Sequence, residues 1–286
     1  MKPINYSETR GSAQCKSAVM LAALNTPGIT KIKAVSSRDH TEKMFEHLKI
    51  PIKIESKKKF DLIEVQGLNQ FDAFDYIVPG DISSSAFFIV LTILSNNSKI
   101  RIKNVNINKS RIGIITILKK MNCKIRFYNT KIYKGEKTAD IIVESSRNIK
   151  GINCPVYLNS AAIDEFLVIF LIAAKAKGVS NFKNLGELNT KESPRLNISV
   201  SFLKMLGVRV DRNKNDIKIY GNPNLKISKT LHMKNYLKDH RVFMMSCIAA
   251  LSFIENGEVI IEDKDSINTS FPSFLKILKK LGAVIK

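Results

Sequence analysis

The chain has 286 residues, 44% of them hydrophobic, and a formal net charge of +21. That length can bury one large or two medium cores, and the charge favours anionic partners: phosphorylated metabolites, a membrane surface or nucleic acid. The lysines run along the whole chain, tryptophan is absent and no nucleic-acid motif occurs, which argues against a DNA or RNA binder.

Other classes fall away on spacing. Cys15, Cys123, Cys154 and Cys247 lie far apart with no C-x-x-C, which disfavours zinc and a disulfide scaffold and suits a reducing cytosol. His40, His47, His232 and His240 show no metal-ligand pattern. The apolar runs break before the ~18 residues a membrane span needs, and the first residues do not read as a signal peptide. No metal, cofactor or membrane is therefore expected.

In chain order the sequence reads as one unit repeated four times. Each copy opens with a polar residue able to cap a helix. An apolar helix follows, then an alternating strand, an amphipathic helix with a Leu-Gly-type stop, and another strand. Copy one gives Gly11-Ser12-Ala13-Gln14, a helix over 18–24, a strand over 29–35, a helix over 41–48 and a strand over 50–54. Copy two opens at Asp81, with a helix over 83–94, a strand over 100–105, a helix near 112–121 and a strand over 123–127. Copy three opens at Asp164, with a helix over 165–176, a strand over 179–185, a helix ending at Leu206-Gly207 and a strand over 208–210. Copy four opens at Asp239, with a helix over 240–253, a strand over 258–262, a helix ending at Leu281-Gly282 and a strand over 283–285.

The anchors Leu48, Met121, Leu206 and Leu281 recur at intervals of roughly 75 residues, too long for a solenoid repeat, so each copy is a small α/β subdomain. The nearly all-apolar helix near Phe166 must be buried on most sides, which helices inside and sheets outside would satisfy. Val78-Pro79-Gly80-Asp81 is a turn leading into a capped helix. It divides the chain into 1–78 and 79–286.

The chemistry gathers at helix starts. Ser12, Asp81, Asp164 and Asp239 hold equivalent places and are candidate N-caps. Helix starts on one side of a repeated fold would create positive potential suited to phosphate or carboxylate. Lys191-Glu192-Ser193-Pro194-Arg195 sets two cations at another start, with Ser193 placed to cap, Pro194 suited to the first turn and no local partner for either cation. Arg38-Asp39-His40 and Asp239-His240-Arg241 add further charges. Lys and Arg around one or two carboxylates can hold two anions while a proton moves.

Gly11-Ser12-Ala13-Gln14 with Lys16-Ser17-Ala18, Ser37-Arg38-Asp39-His40-Thr41-Glu42, Pro79-Gly80-Asp81-Ile82-Ser83-Ser84, Ile163-Asp164-Glu165, Lys191-Glu192-Ser193 with Arg195, Asp239-His240-Arg241 and Thr269-Ser270-Phe271-Pro272 occur in order along nearly the whole chain. Together they resemble the EPSP synthase (3-phosphoshikimate 1-carboxyvinyltransferase) family. Ser-Ala-Gln and Thr269 resemble its glyphosate-tolerant bacterial class.

The resemblance implies an α/β fold: the inside-out enolpyruvyl transferase barrel of β-α-β-α-β-β units, here four of the usual six. It makes 1–78 the last unit of a first, incomplete domain and 79–286 a complete second domain. It implies transfer of the carboxyvinyl group of phosphoenolpyruvate to the 5-hydroxyl of shikimate 3-phosphate, in the cytoplasm and by a monomer when complete. Ser12, Ala13, Gln14, Arg38, Asp164 and Lys191 would bind shikimate 3-phosphate, and Gln14, Arg195 and Arg241 phosphoenolpyruvate. Asp164 would deprotonate the hydroxyl, Lys191 would relay a proton and Glu192 would protonate the methylene carbon. The cations around Asp164 make it a weaker base, so positioning must supply much of its effect. Asp39 and His240 are expected to support the neighbouring arginines and the fold.

Pro194 stands where the family usually has Asp, removing a carboxylate that could orient Arg195. The family also keeps further Lys, Ser and Arg ligands ahead of the matched region. This chain alone is therefore expected to be inactive or very weak without a complementing N-terminal fragment. Rival readings are a non-catalytic or split-enzyme fragment that binds shikimate 3-phosphate or a partner chain, and an enolpyruvyl transferase acting on a UDP-sugar.

Overall fold

The computed structural model describes residues 1–68 and 70–285. They form two compact units. The first gathers Met1–Pro79 with Asn106–Arg111 and Asn129–Ala139; the second gathers Gly80–Val105, Ile112–Tyr128 and Asp140–Lys286.

The first unit contains β1 (Asn5–Glu8), α1 (Ala13–Ala23), β2 (Ile29–Val35), α2 (His40–His47), β3 (Ile52–Ser56) and β4 (Phe60–Gln66). Its sheet has the order β1-β2-β4-β3, with β1 parallel to β2 and the other pairs antiparallel. β2 alternates exposed and buried residues along its length, as a strand with one wet face should. Its inward Ile32 and Ala34 meet Met20, Ala23, Phe45, Ile50, Ile63 and Val65 in one small core.

The chain continues through α3 (Ile82–Leu94), β5 (Lys99–Asn106), α4 (Gly113–Lys120), β6 (Lys124–Tyr133) and β7 (Glu136–Glu144). Then come α5 (Asn159–Ala162), α6 (Phe166–Lys175), β8 (Gly178–Phe182), α7 (Arg195–Met205), β9 (Arg209–Asn213) and β10 (Asp216–Gly221). Last are β11 (Leu231–Met233), α8 (His240–Phe253), β12 (Val259–Ile261) and α9 (Phe274–Lys280). The sheet orders are β5-β7-β6, β8-β10-β9 and β11-β12.

The repeat is visible as apolar helix, strand, amphipathic helix, then two strands. It runs α1-β2-α2-β3-β4, then α3-β5-α4-β6-β7, then α6-β8-α7-β9-β10. The fourth copy gives α8, β12 and α9, and residues 283–285 are not a strand, contrary to the apolar reading of the sequence. Three residues offer few ladder bonds, and no strand pairs with them among the described residues. β1 and β11 were not legible beforehand, because four mostly polar residues and three residues carry too little alternation.

In the second unit α3, α6 and α8 pack on one another, so the helices do lie inside. Every residue from Phe166 to Ala174 is buried, which an all-apolar helix requires. Each such Leu, Ile or Phe contributes roughly 1.5–3 kcal/mol relative to exposure. Phe166, Phe170 and Phe182 meet edge to face or tilted at 5.2–5.8 Å. Phe271 of the Thr-Ser-Phe-Pro motif packs on Phe88 at 6.0 Å and on Phe274 at 5.7 Å.

Every copy stops its second helix in the same way. After Leu48, Met121, Leu206 and Leu281 the next residue is left-handed: Lys49 (φ 58), Asn122 (φ 68), Gly207 (φ 78) and Gly282 (φ 98). The N–H groups of Ile50, Cys123, Val208 and Ala283 donate back to the carbonyls of Phe45, Leu118, Leu203 and Leu278. Those of Lys49, Asn122, Gly207 and Gly282 donate to Glu46, Lys119, Lys204 and Lys279. This double bond is the Schellman stop, and it satisfies carbonyls that a helix end otherwise strands.

Candidate active site

In the first unit the N-terminus of α1 carries Ser12, Ala13 and Gln14. Ser12 caps the helix: its Oγ accepts from the Cys15 amide at 3.2 Å. Ser12 and Ala13 are half-buried and Gln14 is exposed, while Lys16, one turn on, is fully buried. Lys16 Nζ donates to Glu42 Oε1 at 2.5 Å and to the Arg38 carbonyl at 2.9 Å. Ser17 and Thr41 share a further bond of 2.7 Å. One buried cation thus ties the start of α1 to the Arg38 loop and to α2, holding Ser12, Ala13, Gln14 and Arg38 in one neighbourhood. Nothing in the sequence distinguished Lys16 from the other lysines except its place beside the helix start.

Asp39 is bonded to Lys43, to Asn108 Nδ2 at 2.7 Å and to Ser110 Oγ at 3.4 Å. Burial alone would raise its pKa, but Lys43 and Asn108 outweigh that and hold it below the usual carboxylate value. His40 Nδ1 lies 2.5 Å from Glu136 Oε1. The Glu136 carboxyl, which burial would push up, is held low chiefly by His40.

In the second unit the charged residues of copies three and four come together. Asp164 Oδ1 is 3.6 Å from Arg195 Nη1 and 3.9 Å from Lys191 Nζ, and its Oδ2 is 3.9 Å from Arg241 Nη2. Arg241 Nη1 also donates to the Asp164 carbonyl at 3.2 Å. One carboxylate thus sits among three cations drawn from two copies of the repeat.

Three expectations need correction here. Asp164 does not cap the following helix. The N-cap position of α6 is Glu165, with no side-chain cap bond, and Asp164 lies one residue earlier beside the cations. Glu165 is bonded to Ser83 instead. Ser193 does not cap α7: Pro194 holds that position, and Ser193 Oγ donates to Asp239 Oδ2 at 2.8 Å. Nor do Lys191 and Arg195 lack carboxylate partners. Lys191, in extended backbone ahead of α7, lies 2.9 Å from Glu187. Arg195 meets Asp239 at 2.8 Å and Glu192 at 2.5 Å.

Asp239 is the residue whose role the sequence understated. It caps α8, accepting from the Arg241 amide at 2.9 Å, and it also receives Ser193 Oγ and Arg195 Nε. Burial would raise its pKa; the Arg195 bond and charge, with Ser193, bring it below the ordinary value. At His240, burial and the Arg241 charge push the pKa down. No cluster of three or more metal-ligating side chains occurs among the described residues. Among them, too, no helix is long and apolar enough to cross a membrane.

A family model described as EPSP synthase (3-phosphoshikimate 1-carboxyvinyltransferase) matches residues 1–278. The chain belongs to the EPSP synthase family. A 3-phosphoshikimate 1-carboxyvinyltransferase of Zymomonas mobilis is 37% identical over 284 residues, covering 98% of this chain and 62% of its own length. The solved EPSP synthase of Acinetobacter baumannii superposes with a TM-score of 0.90 at 31% identity, over 100% of this chain and 64% of that one. The enolpyruvyl transferase NikO of Streptomyces tendae shares the fold, with a TM-score of 0.71 at 16% identity. The α/β fold is therefore that of the enolpyruvyl transferases, and the chain spans a little under two thirds of these EPSP synthases.

Proposed function

We propose that this chain serves the transfer of the carboxyvinyl group of phosphoenolpyruvate to the 5-hydroxyl of shikimate 3-phosphate, giving EPSP and phosphate. The observation that carries the reading is the gathering of Lys191, Arg195 and Arg241 around Asp164 in a chain of this family. Asp164 takes the proton of the 5-hydroxyl as its oxygen attacks C2 of phosphoenolpyruvate. Glu192 delivers a proton to the methylene carbon, giving a tetrahedral adduct. Loss of a proton from that carbon then expels phosphate and restores the vinyl group. Lys191 bridges both substrates and relays a proton, while Arg195 and Arg241 hold phosphoenolpyruvate.

In the first unit Ser12, Ala13 and Gln14 take the phosphate of shikimate 3-phosphate at a helix start, where amides and dipole favour an anion. Gln14 also approaches phosphoenolpyruvate, and Arg38 lies against the ring. Residues 1–78 act as the last repeat of a first domain and 79–286 as the second domain. The reaction runs in the cytoplasm, in a protein that is a monomer when complete.

Calorimetric titration of phosphoenolpyruvate, with shikimate 3-phosphate present, tests the assignment. Lys191→Ala and Arg241→Ala should each weaken phosphoenolpyruvate binding tenfold or more, the worth of a charge-assisted hydrogen bond. Ser12→Ala should weaken shikimate 3-phosphate. Unchanged affinities in folded variants, or a UDP-sugar binding in place of shikimate 3-phosphate, would refute it.

A further inference from the structure

The charges of the second-unit cluster do not leave Arg195 open to an incoming anion. Its side chain is 1% exposed. Nε donates to Asp239 Oδ2 at 2.8 Å, Nη2 donates to Glu192 Oε2 at 2.5 Å and reaches Asp239 Oδ1 at 3.3 Å, and Nη1 lies 3.6 Å from Asp164. Among the contacts described, Lys191, Arg195 and Arg241 are met by Asp164, Glu187, Glu192 and Asp239, three cations beside four carboxylates. A further anion joins Arg195 more favourably when a carboxylate beside it moves away.

The carboxylates differ in how firmly they are held. The Asp239 side chain is fully buried and accepts from Ser193, Arg195 and the Arg241 amide. The Asp164 side chain is 13% exposed and lies within 4 Å of all three cations. Glu187, with its side chain 57% exposed, lies 2.9 Å from Lys191 at the rim. Glu192 is 57% exposed and reaches Arg195 with a single oxygen. Its neighbour Pro194 offers no carboxylate to share the task.

We infer that Glu192 is a displaceable counter-ion: its carboxylate occupies the Nη2 face of Arg195, the seat of an anionic substrate group, and substrate entry moves it aside. The inference rests on the proposed reading of this cluster as the phosphoenolpyruvate site and adds a second duty to Glu192. Its release would coincide with arrival of the substrate it is to protonate. Asp239, held from three directions, stays behind to fix the guanidinium plane. The seat suits a small carboxylate or phosphate, because a planar fork recognises such groups with paired bonds.

Glu192→Gln and Glu192→Ala separate this role from a structural one, since a supporting residue should weaken binding when removed. The probe is phosphoenolpyruvate with shikimate 3-phosphate present, followed by calorimetry, with thermal melting to confirm folding. Both variants should bind phosphoenolpyruvate about two- to fivefold tighter than the parent chain, the equilibrium equivalent of an exposed ion pair. In a turnover-competent form KM for phosphoenolpyruvate should fall together with kcat. Equal or weaker binding by folded variants overturns the inference and leaves the site standing. Absence of binding by the parent and both variants, each fused to the additional N-terminal length of a relative, overturns the phosphoenolpyruvate reading itself.

Discussion

Each unit holds its candidate residues with a buried ion pair, and the two pairs are built differently. In the first, Lys16 meets Glu42 and one backbone carbonyl, and the second oxygen of Glu42 is buried without a hydrogen-bond partner among the described residues. In the second, Arg195 meets Asp239 with two bonds along its Nε–Nη2 edge, with Glu192 and Asp164 close by. A lysine is a point charge on a flexible stem; an arginine is a rigid fork that fixes direction as well as charge. The difference suits the proposed roles. Lys16 ties two segments together behind the substrate, whereas Arg195 must present an oriented face to it. It also sets what happens when each pair is broken, because a buried carboxylate can take up a proton and a guanidinium cannot lose one.

The largest effect should follow from Asp239→Asn. It leaves the Arg195 charge buried with its best partner gone and weakens the α8 cap, so urea denaturation should show a loss of about 3–5 kcal/mol. The loss should depend on pH. The Asp239 pKa is lowered in the fold, so its contribution is complete above the unfolded carboxylate pKa of about 4 and disappears as pH falls through the folded value. The gap between parent and variant should therefore close only in acid. A gap that instead widened in acid would contradict the pairing.

Lys16→Met should lose less, about 2–4 kcal/mol, because Lys16 meets one carboxylate oxygen and one carbonyl where Arg195 meets both oxygens of Asp239. The double variant Lys16→Met with Glu42→Met should return to within about 1 kcal/mol of the parent. Failure of the second change to rescue the first would mean that the bond to the Arg38 carbonyl, and not the ion pair, carries the stability. Ser193→Ala removes one bond to Asp239 and should cost about 1 kcal/mol by the same measurement.

The smallest effects test the shared helix stop. Gly207→Ala places a side chain at φ 78 with nothing within 4 Å of its Cβ, so only backbone strain opposes it, about 1 kcal/mol. Lys49→Gly, at φ 58, should gain up to about 1 kcal/mol. Equal behaviour at both positions would separate the copies that otherwise stop alike.

Much of the fold was legible because it rests on local signals repeated along the chain. Ser12, Asp81 and Asp239 look like caps and are caps. The Leu-Gly stops mark two helix ends, and the same geometry recurs where Lys49 and Asn122 replace glycine. The site was legible only as a list of charges. Ser193 and Arg195 lie 46 and 44 residues from Asp239, a distance over which no periodicity pairs one residue with another. The same blindness made Asp164 look like a cap, since an Asp ahead of an apolar helix reads alike whether it faces amides or cations. Lys16 and Glu42 belong to different helices, so their pairing appears only once α1 and α2 are packed.

The proposed reaction is tested most directly by turnover. The 286 residues are assayed alone and with the additional N-terminal length of a relative fused ahead of Met1, following phosphate release by phosphorus NMR. The fused protein should convert phosphoenolpyruvate and shikimate 3-phosphate to EPSP and phosphate in equal amounts, with Asp164→Asn lowering kcat by a factor of about 10²–10⁴. Phosphate release that ignores shikimate 3-phosphate, or survives Asp164→Asn undiminished, would contradict it.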